Sequence, residues 1–173
     1  MKRSIQVWDY AGTILEQIGK GALLTTCADG QVNTMTIGWG TLGIEWGKPI
    51  CTVFVRESRY TKQLLDKNPE FTVNVPYGEE AKEILRLCGV KSGRDMDKFQ
   101  ELGLEQEEGL TVSVPGIRQL PLTLECKVIY RQDQDPKAIN KENDDRYYAK
   151  GTANEGDYHT AYYGQITAAY IIE

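Results

Sequence analysis

The stretch Gly21 to Trp39 reads GALLTTCADGQVNTMTIGW. Gly21 to Ala28 (GALLTTCA) is an apolar and threonine-rich run with the character of a strand. Asp29-Gly30 follows, a pair that reaches positive φ at low cost and makes two-residue hairpin turns. Val32 to Trp39 is the return strand, with Gly38 and Gly40 marking a bend or bulge at its end. Two strands joined this tightly run antiparallel.

Outward from this hairpin the chain keeps to short elements. Asp9 to Lys20 puts Ile14, Leu15 and Ile18 on one helical face, with Gly19 and Gly21 as stop signals. Pro49-Ile50 opens a third strand, Cys51 to Arg56 (CTVFVR). Ser58 to Lys67 reads as a helix with Ser58 as its N-cap, ended by Asn68-Pro69. Glu70 to Val75 alternates as a strand and Pro76 stops it. Glu79 to Leu87 is helical, and Ser92 to Leu102 is a loop entering a short helix. Thr111 to Val114 is a brief strand. Pro121 to Gln132 is a long one, with Leu122, Leu124, Cys126, Val128 and Tyr130 on one face. Asp133 to Gly156 is a polar excursion of modest helical tendency, and Tyr158 to Ile172 is the last strand, broken near Gly164. Strands do not alternate strictly with long helices, so a doubly wound parallel sheet is not supported and a mainly β fold is expected. A closed antiparallel barrel with peripheral helices, made by residues 1–173 as one domain, fits the pattern.

Composition narrows the function classes. The chain of 173 residues is 40% hydrophobic and 26% charged, which is globular rather than disordered usage. Its 17 glycines call for many tight turns. A net charge of -5 disfavours nucleic acid as a partner. No run approaches the ~20 apolar residues of a membrane span, and Met1 to Tyr10 lacks the apolar core of a secretion signal, so the expected compartment is the cytoplasm. Cys27, Cys51, Cys88 and Cys126 are scattered, and His159 is the only histidine. That spacing predicts no metal site and four buried thiols in a reducing environment.

Four segments carry candidate chemistry. In Val55-Arg56-Glu57-Ser58-Arg59-Tyr60-Thr61 a strand ends where a helix begins. Unpaired helix N–H groups, the hydroxyls of Ser58 and Thr61, and the cations of Arg56 and Arg59 suit a phosphate monoester. Taken alone, the run also reads as a capped helix with solvated arginines. In Asn33-Thr34-Met35-Thr36-Ile37-Gly38-Trp39-Gly40 the glycines let a flat ligand approach the backbone and Trp39 offers a wall for a ring; a bent strand with a core tryptophan is the plainer reading. Ser92 to Phe99 brings Lys98 near a helix start, where it meets an anion or simply solvent. His159 stands among tyrosines with no serine or cysteine nucleophile in a hydrolase arrangement, and is otherwise a structural imidazole.

In order and spacing these segments resemble the flavin reductase-like family, the FMN-binding split barrels, and in particular its flavoredoxin-type members. The likeness rests on Asn33-x-Met35-Thr36-x-x-Trp39, Val55-Arg56-x-Ser58-Arg59-x-Thr61 and Glu70-Phe71-x-Val73-Asn74-x-Pro76. Ser92-Gly93-x-Asp95-x-Asp97-Lys98-Phe99, Leu124-Glu125-Cys126 and His159 ahead of Gly164 continue it. The resemblance implies an antiparallel split barrel and a homodimer with FMN in a groove partly built by the second subunit. Asn33, Met35, Thr36 and Trp39 would line the isoalloxazine and ribityl region, while Arg56, Ser58, Arg59 and Thr61 would hold the phosphate. Lys98 would approach the flavin or its phosphate, and His159 would take the catalytic position near the ring or nicotinamide face. The implied activity passes electrons from NADH or NADPH through FMN to a redox acceptor that the sequence does not name. An FMN-binding electron carrier without its own NAD(P)H site, and a split-barrel module for another flat anionic ligand, are the alternatives. The chain departs from the family pattern in Asp157-Tyr158-His159, where many relatives carry Gly-Asp-His, and in the length and polarity of 133–156.

Overall fold

The computed structural model describes residues 1–78 and 81–173. After β1 (Lys2–Ser4) and a 3-10 turn (Val7–Tyr10) comes α1 (Ala11–Lys20), then β2 (Ala22–Ala28) and β3 (Gln31–Ile37). Asp29 and Gly30 have φ of 51° and 75°, the two positive values that a type I′ hairpin turn requires. β4 (Gly40–Glu45) and β5 (Lys48–Arg56) make a second hairpin through Trp46 and Gly47, with φ of 51° and 68°. Then follow α2 (Tyr60–Lys67), β6 (Glu70–Val75), α3 (Lys82–Val90), α4 (Lys98–Leu102) and the short pair β7 (Gln106–Glu107) and β8 (Gly116–Ile117). β9 (Leu122–Asp133), α5 (Lys141–Tyr147) and β10 (His159–Ile172) complete the chain.

The main sheet runs β3-β2-β6-β9-β10-β5-β4, with β1 added to β10, and every pairing is antiparallel. Its two outermost strands, β3 and β4, are consecutive in the chain and are joined by Gly38 and Trp39 alone. That link spans about 10 Å at most. The sheet therefore curls until its edges meet at one end, and the result is a barrel split along the β3/β4 seam. No ladder joins the two edges among the described residues, so the barrel is split and not closed.

Ile14 and Ile18 of α1 pack into the barrel core with Leu24, Val53, Phe71, Val73, Leu124, Cys126 and Tyr162. Leu15 faces outward, against the sequence reading that put it on the same face. On the other side of β2, Leu23 packs with Cys88 of α3 and Phe99 of α4. β2 is therefore buried on both faces, which is why its sequence is a continuous run and not an alternation.

Four local expectations change. β4 has no counterpart in the sequence reading, since Gly40 and Gly43 depress strand propensity and Ile44 is exposed on an edge. Thr111 to Val114 is a bend and not a strand, because its backbone donors go to carboxylates instead of a ladder. Glu125, fully buried, accepts the N–H groups of Leu110 (2.7 Å) and Thr111 (2.6 Å) and the Thr111 hydroxyl (2.7 Å), while Glu70 accepts the Ser113 N–H (2.7 Å). The helix read from Glu79 to Leu87 runs instead over Lys82–Val90, and Glu79 lies outside the described residues. β10 is continuous through Gly164, where its register with β9 shifts. The excursion folds into a 3-10 turn (Pro136–Ala138) and α5, whose N-cap Asn140 accepts the Asn143 N–H at 3.0 Å.

At Gly164 a Cβ would stand 2.4 Å from Cζ of Phe71 and 2.8 Å from Cβ of Cys126. Gly164→Ala is expected to cost about 1–3 kcal/mol by overpacking, seen as a lower urea midpoint at unchanged m-value. An unchanged midpoint contradicts this packing.

Candidate functional site

The seam of the barrel opens into two adjoining hollows. The first, about 170 Å³, is lined by Met35 to Ile37 of β3, Gly38 and Trp39 of the β3/β4 link, Phe54 and Arg56 of β5, Arg59, and His159 of β10. Ladder pairing of His159 with Arg56 sets these two side by side. The second, about 110 Å³, is lined by Asn33, Ser58 to Thr61, Gly93, Arg94 and Lys98 among others. Met35 and Arg59 line both. A flat lobe with an aromatic wall thus continues into a cationic lobe.

The cationic lobe is built where β5 turns into α2. Arg59, not Ser58, is the N-cap residue of that helix, and no side chain caps it. The Ser58 N–H and hydroxyl instead donate to the Asp157 carboxylate at 2.9 and 2.6 Å. Thr61 lies in the first helical turn and is buried. Its hydroxyl oxygen accepts from Asn33 Nδ2 at 2.8 Å, which leaves its own proton to donate. Arg59 Nε is buried with no hydrogen-bond partner among the described residues. Lys98 is 4% exposed, and its ammonium donates to the carbonyls of Thr34 (2.7 Å) and Cys88 (3.0 Å). Among the described residues neither cation forms an ion pair, and burial holds the Lys98 pKa below its ordinary value. A buried ammonium without a counter-charge and a buried guanidinium nitrogen without an acceptor are both costly, and an anionic ligand removes that cost. The donor set fits a phosphate.

Gly93 keeps this lobe open. A Cβ there would lie 2.0 Å from Asn33 Oδ1 and 3.0 Å from the Tyr60 ring. Arg94 fastens the same loop by donating to the Ser58 carbonyl at 3.1 Å and lies 5.4 Å from the Tyr60 ring centroid.

In the flat lobe, the Thr36 hydroxyl is engaged by the Leu85 carbonyl at 2.5 Å. Arg56 donates to the Asp157 carbonyl at 2.7 Å and lies over the Tyr148 ring, so it borders this lobe and not the cationic one. Trp39 is 4.9 Å from the His159 ring and 5.0 Å, edge-on, from Tyr147. His159 Nδ1 meets the Tyr148 hydroxyl at 2.7 Å. Burial first, and then the positive charge of Arg56, push the His159 pKa down to about 4, so the imidazole is neutral near pH 7.

All ten candidate residues therefore line one or other lobe. Sequence reasoning did not assign Gly93, Gln134, Tyr147, Tyr148 or Asp157 to the site. The only local signal for the excursion was an aromatic pair, Tyr147-Tyr148, set in the charged run DDRYYAK. Among the described residues, no three His, Cys, Asp or Glu side chains are grouped to hold a metal ion.

A split antiparallel barrel whose seam joins a flat aromatic lobe to a cationic pocket defines a flavin-type split-barrel protein. The chain belongs to the flavin reductase like domain family, whose model matches residues 19–173. It is similar to the solved flavoredoxin of Methanosarcina acetivorans, with 27% identity and a TM-score of 0.67 over 88% of this chain and 68% of that one. Nitrilotriacetate monooxygenase component B from Bacillus cereus shares the fold, at 15% identity and a TM-score of 0.68 over 98% of this chain and 78% of that one. An uncharacterized protein of Archaeoglobus fulgidus is 33% identical over 97 residues, which are 56% of this chain and 54% of that protein. The chain spans about half the length of the curated relatives it matches.

The depressed His159 pKa has a consequence for stability. The unfolded imidazole takes up a proton near its ordinary value of 6.5, whereas the native one resists until about 4. The contribution of neutral His159 is full above pH 6.5 and is lost as pH falls toward 4. Urea midpoints measured across this window should fall more steeply in the native chain than in His159→Asn; parallel curves contradict the assignment.

Proposed function

We propose that this chain is an FMN-binding oxidoreductase that takes electrons from NADH or NADPH and passes them through FMN to an acceptor. The observation that carries this reading is the pair of uncompensated cations, half-buried Arg59 with its partnerless Nε and buried Lys98, beside the free Thr61 proton. Arg59, Thr61 and Lys98 would hold the phosphate, joined by Ser58 once it leaves Asp157. Asn33 and Met35 would flank the ribityl chain, and Thr36, Gly38, Trp39 and His159 the ring. When bound, FMN supplies a ring that accepts hydride from a nicotinamide and returns the electrons to an acceptor.

The protein's own part is binding, orientation and exclusion of water. Arg59 and Lys98 neutralise the anion. Gly93 leaves the lobe open to it. Trp39 shields the flat lobe and, together with Tyr147, fixes its edge. The neutral imidazole of His159 adds a polar contact without adding charge. Half-exposed Trp39 and Leu15 beside the seam support a homodimer in which a second copy covers the flavin. Four free cysteines support a cytoplasmic location, and no helix among the described residues is long and apolar enough to cross a membrane. In this reading residues 1–173 act as one FMN-binding unit.

One observation favours a second reading. Tyr147 and Tyr148 of the excursion pack against Trp39 and His159 and narrow the approach to the flat lobe. A carrier that holds FMN but lacks a nicotinamide site has no need of that approach. Anaerobic mixing of the FMN-loaded protein with NADH and with NADPH separates the two. Bleaching of the flavin band near one equivalent supports the reductase; no bleaching with either coenzyme supports the carrier.

The phosphate assignment has its own test. Loss of one charge-assisted contact costs ~1.5–3 kcal/mol, or about 10- to 150-fold in affinity. Arg59→Ala and Thr61→Val should each weaken FMN binding in a fluorescence titration, Arg59→Ala by the full amount. Unchanged affinity in both removes these residues from the site.

A further inference from the structure

The excursion between β9 and β10 sends two polar side chains to His159, and together they determine where the imidazole proton sits. The backbone N–H of His159 donates to Gln134 Oε1 at 3.1 Å. A backbone N–H can only donate, so the Gln134 atom facing it is the oxygen. The same oxygen lies 3.0 Å from the Tyr148 hydroxyl. An amide oxygen can only accept, so the Tyr148 proton points at Gln134. The Tyr148 oxygen is then left as an acceptor toward His159 Nδ1, 2.7 Å away. With the imidazole neutral, its single proton is on Nδ1 and Nε2 carries a bare lone pair. No described residue hydrogen-bonds Nε2, and His159 lines the flat lobe beside Trp39.

We infer that Tyr148 and Gln134 are positioning residues that lock His159 in its Nδ1–H form, so that the flat lobe presents a hydrogen-bond acceptor and selects ligands that bring an N–H or O–H group to it. The ring N–H groups of a flavin and the carboxamide of a nicotinamide are donors of this class, whereas a carboxylate or a bare carbonyl placed opposite Nε2 meets lone pair with lone pair. In naming flavin and nicotinamide as occupants the inference rests on the proposed function. The lock itself does not, since all of its members belong to the protein. Tyr148 is held in place apart from this contact: its ring stacks on Tyr158 at 4.6 Å, with the Arg56 guanidinium over its face. The lock is assembled from the excursion between β9 and β10 together with the first residue of β10.

His159 is the only histidine, so its two ring nitrogens give the only imidazole signals in a long-range nitrogen–proton NMR spectrum. Spectra of the full chain at pH 7 are expected to show the proton on Nδ1 and an unprotonated Nε2. Gln134→Met removes the acceptor for the Tyr148 proton, frees it to turn toward Nδ1, and should move the imidazole proton to Nε2. Gln134→Glu retains an acceptor oxygen and should keep the Nδ1–H form. A role confined to packing predicts no tautomer change in either variant. Adding FMN, and then NADH or NADPH, should shift the Nε2 resonance toward that of a hydrogen-bonded nitrogen while Nδ1 stays in place. A proton on Nε2 in the native chain, or an unchanged tautomer in Gln134→Met, overturns the lock. An Nε2 signal that neither ligand moves overturns its selecting role. Failure to bind FMN, by contrast, tells against the proposed function and leaves the tautomer result standing.

Discussion

The reach of two residues governs this molecule. Gly38 and Trp39 carry the chain from one edge of the sheet to the other, a span of about 10 Å at most. The sheet must curl to satisfy them, and its two edges end face to face without a shared ladder. The seam that results opens a hollow lined by the Gly38 backbone and the Trp39 ring. Because β5 borders the β4 edge and β10 pairs with β5, their ends bring Arg56 and His159 to the same place. The chain then turns into α2, and Arg59 and Thr61 follow at once. Fold and site thus arise from one geometrical constraint, and the site's two lobes reflect the two structures that meet there, a strand seam and a helix start.

Charge separates the features that serve the fold from those assigned to a ligand in the proposed function. Structural charges in this protein are satisfied. Glu125 accepts three hydrogen bonds from one bend, and Asp66 holds Lys62 on one oxygen and Arg131 with the Tyr162 hydroxyl on the other. Arg59 and Lys98 break that pattern. One has a buried nitrogen without a partner, and the other is ringed by carbonyls. A fold gains nothing from cations left in that state, and both line the same lobe, which is the ground for proposing an anion there.

Much of this was legible in the chain because it is local. Asp29-Gly30 announces its hairpin, and the run from Arg56 to Thr61 shows hydroxyls and cations at a strand-to-helix junction. What stayed hidden depends on contacts distant in sequence. Ser58 has the makings of a cap, yet Asp157, 99 positions away, takes both of its donors. β4 exists because β5 pairs with it, and not because Gly40 to Glu45 has strand character. Tyr148 and Gln134 are ordinary residues in a polar stretch until folding places them 11 and 25 positions away in contact with His159. In the sequence Gly93 is one residue of the loop that enters a short helix, and the need for a glycine there is seen only once Asn33 lies against it.

The central claim is that the cationic lobe recognises a phosphate attached to the ring that fills the flat lobe. Riboflavin has the ring without the phosphate, so the affinity difference between FMN and riboflavin for the ligand-free protein measures that lobe alone. With two uncompensated cations at ~1.5–3 kcal/mol each, FMN should bind at least about 100-fold more tightly, and the preference should fall by about 10- to 150-fold in Lys98→Met. Equal affinities for the two ligands would contradict the account.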